Sequence, residues 1–188
     1  MFQLSEPEQQ LLLKIARQAV YTYLAGKAPR PPEITSGPLT EAHGVFVSLY
    51  DRADGELRGC IGNIHPATAL YRTTSDCAIS AAVGDPRFMP LTMEELPKVD
   101  FEISVLSPME KIEDVSRIEV GRDGIFINKK GARGLLLPQV ATEYGWGRER
   151  FLAEVCRKAG LKADEWKEGA SIFRFTAHVF GEKKLQTK

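Results

Sequence analysis

Val45-Phe46-Val47-Ser48-Leu49-Tyr50, then Asp54-Gly55, then Leu57-Arg58-Gly59-Cys60-Ile61-Gly62, is the stretch on which the fold turns. Val45, Val47 and Leu49 alternate with Phe46 and Ser48, the period-two pattern of a strand with one buried face. Asp54-Gly55 supplies a tight turn, and the chain from Leu57 to Ile64 is expected to return as the partner strand. On that strand Arg58 and Cys60 share a face while Gly59 points the other way. Two glycines in one strand weaken it and forgo packing, unless something comes close to the backbone that a side chain would exclude.

Similar residues recur further along. Gly44-Val45-Phe46-Val47 with Arg58-Gly59-Cys60-Ile61 is echoed by Gly124-Ile125-Phe126-Ile127, the turn Lys129-Lys130-Gly131, and Arg133-Gly134-Leu135-Leu136. Two readings stand. Hairpins converge on such residues, or a hairpin-helix unit has been duplicated within the chain. Around these hairpins Ser5-Glu6-Pro7-Glu8 gives a capping box, and Leu11 to Tyr23 has helical spacing, ended by Gly26 and Pro29. Pro66 suits a first helical turn, with Leu70, Thr74, Cys77, Ala78, Ala81 and Ala82 on one face of the helix that follows. Phe101, Ile103 and Val105 alternate as a strand, Glu149 to Ala159 is an amphipathic helix, and Phe173, Phe175, Ala177 and Val179 form one final strand. The absence of regular strand-helix alternation predicts an α+β fold with a mostly antiparallel sheet flanked by helices.

Composition narrows the function. The 188 residues amount to one domain of typical size and a fraction, with 25 Lys plus Arg, 25 Asp plus Glu, three His and no net charge. A basic coat for nucleic acid is excluded, and the Lys129 to Arg133 turn reads as a solvated hairpin tip, so nucleic-acid binding is not expected. Gly59 to Tyr71, the longest run without a charged residue, is too short to span a bilayer and holds His65 and Pro66. The first residues lack the pattern of a signal peptide, and three scattered cysteines form no disulfide or zinc framework, which predicts a cytoplasmic protein.

Cys60 carries the chemistry, if any residue does. A guanidinium at Arg58 would favour the thiolate, and strand amides beside it would hold an anion. Buried packing is the competing reading for Cys60, and for Cys77 and Cys156 it is the only one. His65, five residues on, reaches Cys60 only if the chain turns, and otherwise lies near the start of a helix. Asp85-Pro86-Arg87 reads as a turn with a local salt bridge, with Asp85 and Arg87 facing a cleft as the other possibility. The three histidines make no metal signature, and no cofactor motif is present.

Leu57 to Gly62 is identical to the signature hexapeptide of the AMMECR family, and this chain resembles that family well beyond it: Asp85-Pro86-Arg87-Phe88, Glu102 to Pro108, Arg133 to Val140, Gly145-Trp146 and Cys156 to Gly160. The microbial form resembles protein A of the AmmeMemoRadiSam system. The resemblance implies one AMMECR-type domain over residues 1–188, with a larger lobe holding both termini and a smaller inserted lobe. It implies as partners a Memo-type protein and a radical-SAM enzyme, and a site at the hexapeptide, without a reaction. Two functions follow as expectations. One is an accessory or binding protein acting through Arg58, Gly59, Gly62, His65, Arg87 and Arg133. The other is an enzyme using Cys60 on a small anionic substrate.

Overall fold

The structure, a computed structural model, describes residues 3–185. Its order is α1 (Glu6–Leu24), β1 (Val45–Asp51), β2 (Leu57–Asn63), α2 (Leu70–Val83), β3 (Val99–Leu106), β4 (Glu110–Ile112), β5 (Gly124–Lys129) and β6 (Ala132–Leu136). Then come α3 (Pro138–Glu143), α4 (Arg148–Lys158), β7 (Ser171–Phe175), β8 (Ala177–Gly181) and the short α5 (Glu182–Leu185). The fold is α+β, but the strands make two four-stranded antiparallel sheets rather than one, ordered β2-β1-β3-β8 and β4-β7-β5-β6. The chain divides into two compact units. The first runs to Leu106 and resumes at His178, and the second is Ser107–Ala177.

In the first unit Val45, Val47, Leu49, Phe101, Ile103 and Val105 form the inner face of the sheet, packed with Leu12, Ile15, Ala16, Leu70, Ala78 and Ala81 of α1 and α2. Helix α1 starts as its sequence dictates: the Ser5 amide and hydroxyl both donate to the Glu8 carboxylate, at 2.7 and 2.6 Å. Its opposite side is tied to the end of the first unit. The Leu4 amide donates to His178 Nδ1 at 3.1 Å, and burial lowers the pKa of that imidazole. Arg17 forks onto Glu182 and donates to the carbonyls of Leu96 and Val99, its guanidinium lying over Phe101. In the second unit Ile125, Ile127, Leu136 and Ile172 of the sheet bury Phe151, Leu152, Val155 and Cys156 of α4.

Two sequence expectations change, and two short elements are added. Pro66 is not in a helical turn. The Asn63 side chain accepts the His65 amide at 3.0 Å and turns the chain straight after β2, so α2 begins only at Leu70, whose amide donates to the Glu41 carbonyl. The single strand expected over residues 173–179 is two. At Thr176 the amide donates to Ser107 Oγ and the carbonyl accepts the Ser107 amide, and the strand partners change there, β7 lying beside β5 and β8 beside β3. Apolar alternation runs unbroken through this crossing, so side-chain pattern cannot reveal it. Finally, β4 and α3 are too short to leave a periodic signature.

Both hairpins have the same plan. β2 and β6 are edge strands, β1 and β5 lie beside them, and a helix covers one face of each pair. The registers differ. Gly59 pairs with Leu49, five residues past Gly44, whereas Gly134 pairs with Ile127, three past Gly124. An offset of two keeps every side chain on its face.

Candidate functional site

The hexapeptide lies along β2, an edge strand of the first sheet, with Cys60 opposite Ser48 and Gly62 opposite Phe46. Each glycine is demanded by a close approach. A Cβ on Gly59 would stand 2.2 Å from the carbonyl oxygen of Ala81, so the last turns of α2 rest directly on the strand backbone. A Cβ on Gly62 would stand 2.3 Å from the Phe46 ring, which lies flat on the opposite face. The backbone is indeed approached from both sides, by the protein's own parts.

Arg58 does not pair with Cys60. Its guanidinium faces Glu95, 3.2 Å from Nη2 to Oε1, and its side chain is 18% exposed. Glu95 is set by a local capping arrangement, its carboxylate accepting the Thr92 amide at 2.9 Å while its own amide donates to Thr92 Oγ1. The Thr92 amide, and beyond it Arg58, lower the pKa of Glu95 against the opposing effect of burial. Cys60 Sγ instead accepts a hydrogen bond from the Ser48 hydroxyl at 3.2 Å. Of the three cysteines Cys60 alone is not buried.

What the sequence does not reveal is the bond from Asp85 to Cys60. The Asp85 carboxylate, on a residue only 4% exposed, accepts the Cys60 amide at 2.9 Å and the Arg87 guanidinium at 2.7 and 3.0 Å. Arg87 Nη2 in turn donates to the Cys60 carbonyl at 3.3 Å. The turn expected at Asp85-Pro86-Arg87 exists, with the Phe88 amide donating to the Asp85 carbonyl, and so does its local salt bridge. The same pair closes a ring of hydrogen bonds around one residue of the edge strand. The Arg87 hydrogen bonds hold the Asp85 carboxyl far below the usual carboxylate range, overriding burial, and the Cys60 amide adds to the effect; Asp85 correspondingly raises the pKa of Arg87. The Cys60 amide is thus taken by a carboxylate of the chain itself.

The structure thus brings Arg58, Gly59, Cys60 and Gly62 onto one strand and Arg87 against it. His65 lies two residues beyond that strand in an exposed position. His178 takes the Leu4 amide, and His43 faces Glu41 at 3.2 Å. Burial pushes the Cys77 thiol up to about 11 and raises that of Cys156, so neither is an available nucleophile at neutral pH. Among the described residues no three His, Cys, Asp or Glu side chains converge in a way that would hold a metal ion. Arg133 belongs to the second unit, exposed on β6 opposite Asn128. The glycine after it repeats the Gly59 arrangement, a Cβ on Gly134 standing 2.5 Å from the carbonyl oxygen of Val155 in α4.

Residues 13–180 match the family model of AMMECR1. A protein of Thermofilum pendens is 44% identical, the alignment covering 97% of this chain and 93% of the relative. One of Methanothermobacter thermautotrophicus is 45% identical over 95% and 96% of the two chains. The crystal structure of an uncharacterized protein, PH0010, from Pyrococcus horikoshii superposes with a TM-score of 0.91 at 42% identity, covering 98% of this chain and 96% of that one. No described helix is long and apolar enough to cross a membrane.

Proposed function

Because the chain belongs to the AMMECR1 family, we propose that it is an accessory or binding protein that acts with a Memo-type protein and a radical-SAM enzyme through the β2 edge. One observation carries this reading: the polar groups around Cys60 are already spent on one another. Glu95 neutralises Arg58, Asp85 and Arg87 grip the Cys60 backbone, and Ser48 donates to the thiol. Such a closed network presents a rigid, shaped surface without an aligned base, which suits recognition better than turnover. The test is co-purification of the two partners, produced together with the tagged chain. Both are expected to be retained by the wild-type protein, and Arg58→Ala is expected to retain about tenfold less, the effect of losing a well-placed arginine anchor. Retention unchanged by Arg58→Ala, in a variant that still melts like the wild type, removes β2 as the contact.

A second reading rests on the half-buried thiol itself, which the Ser48 hydroxyl holds in place at 3.2 Å. If Cys60 is the nucleophile of an enzyme acting on a small anionic substrate, iodoacetamide at pH 7 should modify it at least about tenfold faster than a free cysteine in the same buffer. Modification at or below the rate of the free thiol discards the enzyme.

A further inference from the structure

The first unit holds a cavity that the hexapeptide does not line. Arg17, Gln18 and Tyr21 of α1 enclose it together with Met93, Leu96 and Pro97 of the turn at residues 92–98, and its volume of about 380 Å³ is in the range of sites that take small molecules. The walls are fixed before anything enters. Thr92 and Glu95 cap the turn, the Lys98 amide donates to the Glu95 carbonyl at 2.8 Å, and Arg17 ties the turn to α1 through the carbonyls of Leu96 and Val99. A preformed cavity spares a ligand the cost of ordering its site.

The lining sets what fits. Its one charged side chain, Arg17, is already compensated by the carboxylate of Glu182, which it grips with two nitrogens, so an anionic ligand gains little there. The other walls are the rings of Tyr21 and Pro97, the Leu96 side chain and the Met93 thioether, a set that suits a flat ring, the sulfur included. Gln18 Nε2 donates to Thr22 Oγ1, which leaves Gln18 Oε1 and the Tyr21 hydroxyl without partners among the described residues. Both oxygens accept. Lys14, one turn back on α1, and Glu94 and Lys98 on the turn are exposed and charged, so the apolar surface does not extend to the area a protein interface needs. We infer that this cavity binds a small neutral aromatic molecule carrying a hydrogen-bond donor. Such a ligand rests on the same turn that presents Glu95 to Arg58.

Indole is the probe, being flat, uncharged and equipped with a single N–H. Titrated into the full chain and followed by amide NMR shifts, it is expected to saturate in the millimolar range and to move the amides of Tyr21, Met93 and Leu96 most. Tyr21→Ala and Met93→Ala both change exposed side chains, and each should weaken indole binding about tenfold. Tyr144→Ala, which removes an exposed aromatic ring from the second unit, should leave it unchanged. Benzofuran has the same shape without the N–H and should bind about fivefold more weakly than indole. Shifts that do not saturate, that centre elsewhere or that persist undiminished in both cavity variants overturn the inference, and so does benzofuran binding as tightly as indole. Shifts at Tyr21 and Met93 that grow with protein concentration before any indole is added also overturn it, because a second copy of the chain is then the occupant. Binding is read on the chain alone, so it succeeds or fails separately from partner retention at β2.

Discussion

Gly59→Ala should lower folding stability by about 3 kcal/mol or more, the upper range for forcing extra volume into a packed interior. The added Cβ would meet the Ala81 carbonyl oxygen at 2.2 Å, and that atom is helix backbone. No rotamer change can move it. Relief requires α2 to lift from β2, which opens contacts along the whole inner face of the first sheet, where Ala78 and Ala81 are buried completely or nearly so. Gly134→Ala should behave alike in the second unit, where the obstacle is the Val155 carbonyl oxygen at 2.5 Å together with Ala159. Gly147 is the control. Nothing lies within 4 Å of its Cβ position and its φ is −78°, so Gly147→Ala should stay within about 1 kcal/mol of the wild type. Urea denaturation followed by circular dichroism measures all three. Gly59→Ala and Gly147→Ala with equal midpoints would refute the packing argument.

The second large effect is at Asp85. Asp85→Ala strands the Cys60 amide without its acceptor and releases Arg87, whose exposed side chain can turn to water and so limits the loss. A part-buried donor left without its acceptor plus a broken charge-assisted pair amounts to about 2 kcal/mol at pH 7. The pH dependence follows from the direction of the shift. The folded carboxyl ionises well below its unfolded value of about 3.9, so its contribution is complete above that value and fades as the pH falls through the folded one. The stability gap between wild type and Asp85→Ala should therefore stay constant from neutral pH to about pH 4 and narrow only below it. A gap that closes already between pH 5 and pH 6 would show a raised carboxyl instead, and a ring around Cys60 of different character.

These two residues also mark how far the sequence could be read. Gly59 and Gly62 announced a close approach, because a strand tolerates two glycines only for a reason. That the visitors are Ala81 and the Phe46 ring, rather than a ligand, depends on helix placement that local pattern does not encode. The Asp85-Pro86-Arg87 turn and its salt bridge were legible as neighbours in sequence. The bond from Asp85 to Cys60 spans 25 residues and that from Arg58 to Glu95 spans 37, and no periodicity links such pairs. The Ser5–Glu8 cap, the buried face of α2 and the β1–β2 turn were all visible, since each is decided within one or two turns of chain. The crossing at Thr176 was hidden for the opposite reason: alternation continued while the hydrogen-bonding partners changed.

That crossing has a consequence for how the polypeptide is made. A ribosome delivers α1, β1, β2, α2 and β3 first, yet the sheet they belong to lacks its edge strand β8 until the whole of Ser107–Ala177 has been threaded out. The inserted unit is continuous in sequence and needs nothing that comes later. The first unit must wait, its β3 edge open, for a strand some seventy residues downstream, a long-range closure of the kind that slows folding. Glu182, immediately after β8, then delivers the carboxylate that Arg17 and the Phe101 amide have lacked since the start of synthesis. A segment made after the whole inserted unit is thus the fastener of elements made before it.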